Sequence, residues 1–285
     1  MGRSIAGKIK INSFADLVGG GQDGAAEVPL SDLHEFKDHP FRVLDDEKME
    51  ETVQSIKERG VLVPGIARPD PDGGYELISG HRRKRACELA GLSTMLILIR
   101  KYTDDEAVCI MVDSNIQRED ILPSEKAKAY RMKFDAMKHQ GSKDGGITLN
   151  QLAESSGESG KTIQRYIWLT RLSESLMGYV DNKKLHFTSG VELSFLNEKE
   201  QKWVEEFIRK GVMISTSQAS ELKSYSGRKE LTKSVMELIL VPKKLKARRF
   251  VMNAEKLSGY FSDNVTDEEI EDTIFRLLDA WIKDR

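Results

Sequence analysis

From residue 28, after a glycine-rich start, to about residue 120, short apolar runs of strand length alternate with stretches of helical spacing. Val28-Pro29-Leu30 opens the ordered part, and Pro40 to Arg42 reads as extended. Asp45-Asp46-Glu47 then begins a helix with Met49, Val53 and Ile56 on one face, ended by Gly60. Residues 61–68 (VLVPGIAR) predict a strand containing Pro64, and 69–74 a turn. Glu76 to Ser79 is a short strand, and Ala86, Cys87, Leu89, Ala90 and Leu92 give the next helix its apolar face. Met95 to Ile99 is unbroken apolar sequence within a buried strand over 95–100. Thr103 with Glu106 is a capping box, and the helix after it turns Val108, Met111 and Val112 inward.

From Pro123 onward the spacing is almost wholly helical, with helices over 123–137, 147–172, 185–196, 199–210 and 215–225 and a flexible loop at 138–146. Residues 236–241 and 246–252 read as strands, the second flanked by the basic cluster Lys243, Lys244, Lys246, Arg248 and Arg249. That cluster suits either DNA phosphates or a solvated edge. Thr266 caps a closing helix. The pattern predicts an α+β chain: a flexible arm (1–27), a mixed α/β domain (28–122), an all-α domain (123–225), a linker (226–235) and a small α/β C-terminal element (236–285).

Composition narrows the class. At 285 residues the chain can bury a large core, and 32% charged against 39% apolar residues marks a highly charged globular protein. A net charge of −2 means that nucleic-acid binding must use local patches. The two cysteines, Cys87 and Cys109, lack metal or redox spacing and point to buried thiols in a reducing compartment. No apolar run reaches membrane-spanning length and no signal-peptide pattern opens the chain, so the expectation is cytoplasmic, with no membrane partner.

Three stretches carry candidate chemistry. After the 76–79 strand come Gly80, His81 and the basic run Arg82, Arg83, Lys84, Arg85. Strand, glycine and basic helix start together can hold a phosphate: free N–H groups face the anion, glycine allows close approach, and guanidinium groups bind bidentately. The same residues also fit a solvated basic face. Second, residues 147–172 have helix-turn-helix spacing. Thr148 with Gln151 caps the first helix, Gly157 makes the turn and Ser159 caps the second helix. The second helix buries Ile163, Tyr166 or Ile167, and Leu169 and turns Gly160, Lys161, Thr162, Gln164 and Arg165 outward, types suited to a major groove, though a plain helical hairpin would show the same spacing. Third, Ile270, Ile274, Leu277, Leu278 and Trp281 form one apolar stripe, too strong for so small a domain to keep exposed, which predicts a dimer contact.

Residues 60–92 resemble the GERRxRA box of ParB-type chromosome and plasmid partition proteins, including plasmid or mobile-element RepB-like relatives. Residues 114–125 (SNIQREDILPSE) resemble that family's ENxQRxxLxPxE segment, and the helix-turn-helix follows at the family's spacing. The resemblance covers about residues 28–225. It implies a sulfiredoxin-like N-terminal fold and a homodimer that binds palindromic, centromere-like (parS-like) double-stranded DNA. It further implies a clamp gated by CTP and Mg2+, with nucleoid or plasmid association. By position, Gly80, Arg82 and Arg83, with Ser79, His81 and Arg85 around them, would hold the triphosphate. Pro64 and its neighbours would line the base pocket, Asn115 would ligate magnesium, and Arg118 would support that segment. Ser159, Lys161, Thr162, Gln164 and Arg165 would read DNA. A ParA-type ATPase would engage the N-terminal arm, whose one arginine is Arg3.

Two departures bear on chemistry. His81 and Ser114 stand where the family box and segment have glutamates. The resemblance therefore implies nucleotide binding with at most slow CTP hydrolysis, and no catalytic residue is assigned. His81 reads either as a phosphate hydrogen-bonder or as a neutral surface histidine. Competing readings are a ParB-like transcriptional or nucleoid-associated regulator without a partition ATPase, and a nuclease or sulfiredoxin-like enzyme. The last needs a cysteine beside the phosphate loop, whereas Cys87 falls on the helix's apolar side.

Overall fold

The computed structural model describes residues 24–118, 120–140, 149–241, 259–262 and 264–283. The arm with Arg3, Glu119, the 141–148 loop with Thr148, the expected 246–252 strand and the 243–249 basic cluster lie outside them. Residues up to Val241 belong to one compact unit and those from Pro242 to a second.

In the first unit, strands β1 (Ala25–Pro29), β2 (Leu33–Glu35), β3 (Gly65–Pro69), β4 (Tyr75–Ser79) and β5 (Thr94–Ile99) form one sheet in the order β1-β5-β3-β4-β2. The β1–β5 and β3–β4 pairs are antiparallel, while β3–β5 and β2–β4 are parallel. Both faces are covered, so successive strand residues enter different cores. Ala67 and Leu77 pack with Met49 and Ile56 of α1 (Glu47–Arg59) and with Ala86 and Cys87 of α2 (His81–Ala90). Their neighbours Ile66 and Ile78 pack on the other side with Ala107, Met111 and Val112 of α3 (Asp104–Asn115).

That second core does not stop at the sheet. It continues through Ala129 and Tyr130 of α4 (Pro123–Gln140) to Leu152 of α5 (Leu149–Ser156) and Ile163 and Ile167 of α6 (Gly160–Leu169). A third core joins α6 to α7 (Glu174–Asp181), α8 (Phe187–Leu193), α9 (Glu198–Arg209), α10 (Thr216–Gly227) and α11 (Lys233–Leu240).

The expected Thr103–Glu106 box and the Gly60 stop form. Thr103 and Glu106 cap α3 reciprocally, and Asp46 caps α1, which Gly60 ends at φ 70°. Four expectations change. Residues 236–240 are helical: Thr232 accepts from the Val235 N–H, and Met236 and Leu240, four apart, are both buried, so the apolar spacing serves a helix face. The stretch read as a linker at 226–235 holds the end of α10 and the start of α11. The 61–68 strand begins only at Gly65, because Pro64 has no N–H to donate to a ladder, and Leu62 and Val63 are left exposed. The helix expected over 185–196 is α8 alone, with His186 as its N-cap accepting from the Thr188 N–H.

In the second unit, Thr266 and Glu269 cap α12 (Asp267–Lys283). Leu277 and Trp281 are 64% and 56% exposed within this chain, and Leu278 is also exposed, while Ile274 is half-buried. No helix of the described residues is long and apolar enough to cross a membrane.

Candidate functional site

Gly80 is the pivot between β4 and α2. It sits at φ 113°, in the left-handed region, and a Cβ there would meet the Gly65 Cα at 3.2 Å. Glycine satisfies both demands at once. The close approach lets Arg83 reach the segment before β3, where Nη1 donates to the Pro64 carbonyl at 2.6 Å and also to the Val63 carbonyl. Burial holds the Arg83 guanidinium below its ordinary pKa. A cleft of about 360 Å³ opens beside it, lined by Val61, Leu62, Val63 and Arg83 on one side and by Thr52, Ser55 and Ile56 of α1 on the other. Pro64 itself does not line this cleft, but the three residues before it do. The α1 residues are additions that spacing alone did not single out.

The remaining basic side chains are already engaged. Arg82 pairs with Asp46 at 3.1 Å, and Arg85 grips both oxygens of Asp45 at 3.0 and 2.6 Å while also reaching Glu88. Those arginines hold the Asp45 and Asp46 carboxyls below the ordinary range. Arg85 therefore turns toward α1, and the Gly80 side of the loop is left to Arg82 and Arg83. Arg118 feels the charges of Arg82 and Asp46, so it shares this electrostatic neighbourhood, and desolvation lowers its pKa. The Asn115 amide turns back on α3, donating to the Met111 carbonyl at 2.9 Å and the Ser114 hydroxyl at 3.2 Å.

His81, the first residue of α2, is not a surface histidine. Its ring lies 3.9 Å from that of His39, centroid to centroid, and the Nε2 of each is buried without a hydrogen-bond partner. Desolvation, the adjacent His39 and the nearby Lys84 hold the His81 pKa down to about 3, and burial lowers that of His39. Cys87 is fully buried and its thiol pKa is raised, and burial pushes Cys109 up to about 11, so neither presents a thiolate.

The helix-turn-helix is built as its sequence predicts. Gly157 turns the chain at φ 70°, and Ser159 accepts from the Thr162 N–H. The two hydroxyls, Ser159 and Thr162, also bond each other at 2.9 Å. Lys161 is exposed, and Gln164 and Arg165 are half-buried on the same helix. Lys126 of α4 holds the turn by pairing with Glu158 at 2.7 Å and lying over Tyr166. Trp168 packs edge-on to Phe195 in the helical core, away from any stacking role.

Residues 18–116 match the ParB N-terminal domain family. That stretch is a ParB N-terminal domain, and the longer matches are to chromosome-partitioning proteins. Over 197 residues it is 28% identical to the chromosome-partitioning protein Spo0J of Thermus thermophilus, covering 69% of this chain and 70% of that one. It is 33% identical over 162 residues to the chromosome-partitioning protein ParB of Myxococcus xanthus, covering 57% and 52%. It thus spans between half and seven-tenths of these two relatives. Among solved structures it is similar to the C-terminally truncated ParB of Caulobacter crescentus complexed to the centromeric parS site, at 24% identity and a TM-score of 0.46 over 70% of this chain and 98% of that one.

The family's metal is tested by the donor set. Among the described residues no three His, Cys, Asp or Glu side chains converge on one point. His81 and Ser114 offer no carboxylate, and with its nitrogen held within α3 the Asn115 amide offers a single neutral oxygen. One amide oxygen does not make an all-protein magnesium site, which needs several hard oxygen ligands in octahedral geometry.

Proposed function

We propose that this protein is a dimeric, sequence-specific DNA-binding partition protein that reads a palindromic, centromere-like site with α6 and is gated by CTP at the Gly80–Arg83 loop. One observation carries the reading: the phosphate-type loop, with a cleft beside it, and the DNA-reading helix stand in one compact unit joined by a continuous core. The loop supplies the N–H groups of a helix start and the guanidinium groups that a triphosphate needs. The choice of CTP over other nucleotides follows the motif resemblance. So does a ParA-type partner at the N-terminal arm.

Arg82 and Arg83 bind and orient the phosphates, Arg82 by exchanging its Asp46 partner for the anion. Gly80 keeps the approach open, and the apolar wall of Val61 to Val63 takes the base. His81 and Ser114 supply no carboxylate to align a water for in-line attack. Turnover is therefore very slow, even with cognate DNA, and the clamp reopens by nucleotide release. The test is a titration of CTP, UTP, ATP and GTP with and without site DNA. CTP should bind in preference and Arg82→Ala should abolish binding. Brisk phosphate release by the unmodified protein, or equal binding of all four nucleotides, would overturn the reading. The reversion His81→Glu with Ser114→Glu should raise turnover.

A further inference from the structure

The stacked histidines are unexplained by the site as described so far. His39 comes from the segment between β2 and α1, and His81 from the first position of α2, so the pair ties that segment to the phosphate loop. Backbone hydrogen bonds at Leu77 for His81 and at Phe41 for His39 favour an N–H on each ring. Since Nε2 is the unpartnered nitrogen in both rings, those bonds fall to Nδ1, and each Nε2 is a bare lone pair in the interior. Two buried acceptors without a donor are costly to keep, and the structure holds both beside a candidate anion site.

The charges around them are divided. His81 faces Lys84 and Arg83 of its own helix and His39 across the stack, all of which oppose a second positive charge. His39 faces Arg118, which opposes a proton, and Glu35 and Glu125, which favour one. Without an anion, burial and the cations keep both rings neutral. A triphosphate on the loop adds several negative charges beside Arg83 and Lys84 and reverses that balance.

We propose that His39 and His81 are a proton-binding pair of the phosphate loop: when a nucleotide triphosphate seats at the start of α2, one solvent proton goes onto a bare Nε2 of the pair, so nucleotide and proton are bound together. His39 is the first to accept it, because Glu35 and Glu125 already favour its charged form. The imidazolium supplies positive charge where the loop offers no carboxylate to hold a metal. This inference deepens the nucleotide-gated reading and rests on it.

The experiment is calorimetry of CTP binding to the full chain in two buffers of different ionisation enthalpy, from about pH 8 down to about pH 6. The wild-type protein should take up a proton on binding, over and above the proton exchange of the nucleotide's own phosphates, which the variants share. Its affinity should rise up to about tenfold per pH unit as pH falls. His39→Phe keeps a stacked ring without a proton site, and His81→Gln removes the other. Each should diminish the extra uptake and flatten the pH dependence relative to wild type. Equal uptake in wild type and variants overturns the pair. Should a variant fail to fold, NMR titration of the wild-type ring resonances decides instead: both rings neutral at about pH 6 in the CTP complex overturns it, and one charged ring supports it. A chain that binds no CTP at any pH overturns the nucleotide reading itself, a result distinct from binding without proton linkage.

Discussion

Glu125, buried at the start of α4, accepts from both the backbone N–H and the Nε of Arg42, at 2.9 and 3.0 Å. Its other oxygen accepts from the Leu122 N–H at 2.9 Å. One carboxylate thus fastens the segment carrying His39 and Phe41 to the first turn of the helix that supports the helix-turn-helix pair. Glu125→Ala leaves two backbone donors and a guanidinium without their acceptor. It should cost about 2–4 kcal/mol, read as a lower urea midpoint with an unchanged slope.

Gly80→Ala should remove nucleotide binding and lower stability by about 1–3 kcal/mol, because φ 113° is strained for any side chain and the new Cβ meets the Gly65 backbone. Gly91→Ala serves as the control: it is also at positive φ, at 77°, but its Cβ would meet nothing within 4 Å. It should destabilise without changing the affinity for CTP. Loss of CTP binding in both variants would mean that Gly80 acts through stability alone.

Arg165→Ala and Gln164→Ala should each weaken binding to the specific site by about 1–3 kcal/mol and leave nonspecific binding nearly unchanged. Ser159→Ala should act differently. Its hydroxyl caps α6 and bonds Thr162, so the variant should lose about 0.5–2 kcal/mol of fold stability. Footprints with unchanged sequence preference in the first two variants would rule out α6 as the reading helix.

The C-terminal helix is testable by truncation, provided that the cut spares α11. Met236 and Leu240 belong to the helical core, so ending the chain near Lys233 would damage the first unit. A chain ending at Val241 should fold and be monomeric in the absence of nucleotide, and Leu277→Asp in the full chain should weaken the dimer. Light scattering that finds both still dimeric at micromolar concentration would remove α12 from the interface.

Acid should destabilise the protein through His81. Its pKa falls from 6.5 in the ordinary state to about 3 in the fold, so between those values the unfolded chain binds the extra proton. Stability therefore drops as pH falls below about 6.5, by at most about 1.4 kcal/mol per pH unit from this group. Urea unfolding at about pH 7 and about pH 5 measures the slope, and His81→Gln should make it shallower.

Much of this was legible in the sequence. Apolar spacing, the Thr103–Glu106 box and the Gly60 and Gly157 breaks locate elements, because those signals are local and each has a direct backbone cause. At 236–241 the apolar run is too short to separate the two periods, since strand and helix patterns coincide there. The engagements of the candidate site were not legible at all. Arg85 meets Asp45 forty residues away, and His81 meets His39, through an arrangement that only the packing of α1 against α2 creates. A run of arginines announces positive charge, but its spacing does not say which of them are already neutralised by a neighbour.

The core shared by the sheet, α3, α4 and the helix-turn-helix bears on how new binding specificities can be made. Ile163 and Ile167 are seated against the same cluster as Tyr130 and Ile78, so α6 is not a detachable cassette. Recombination between relatives at the 122–123 boundary would split that cluster and mismatch its two halves. Only the outward positions 161, 162, 164 and 165 are open to drift one at a time. On the proposed reading of α6, a change of DNA site comes by point substitution there, and a graft onto a foreign scaffold has to carry the inner face of α4 along with it.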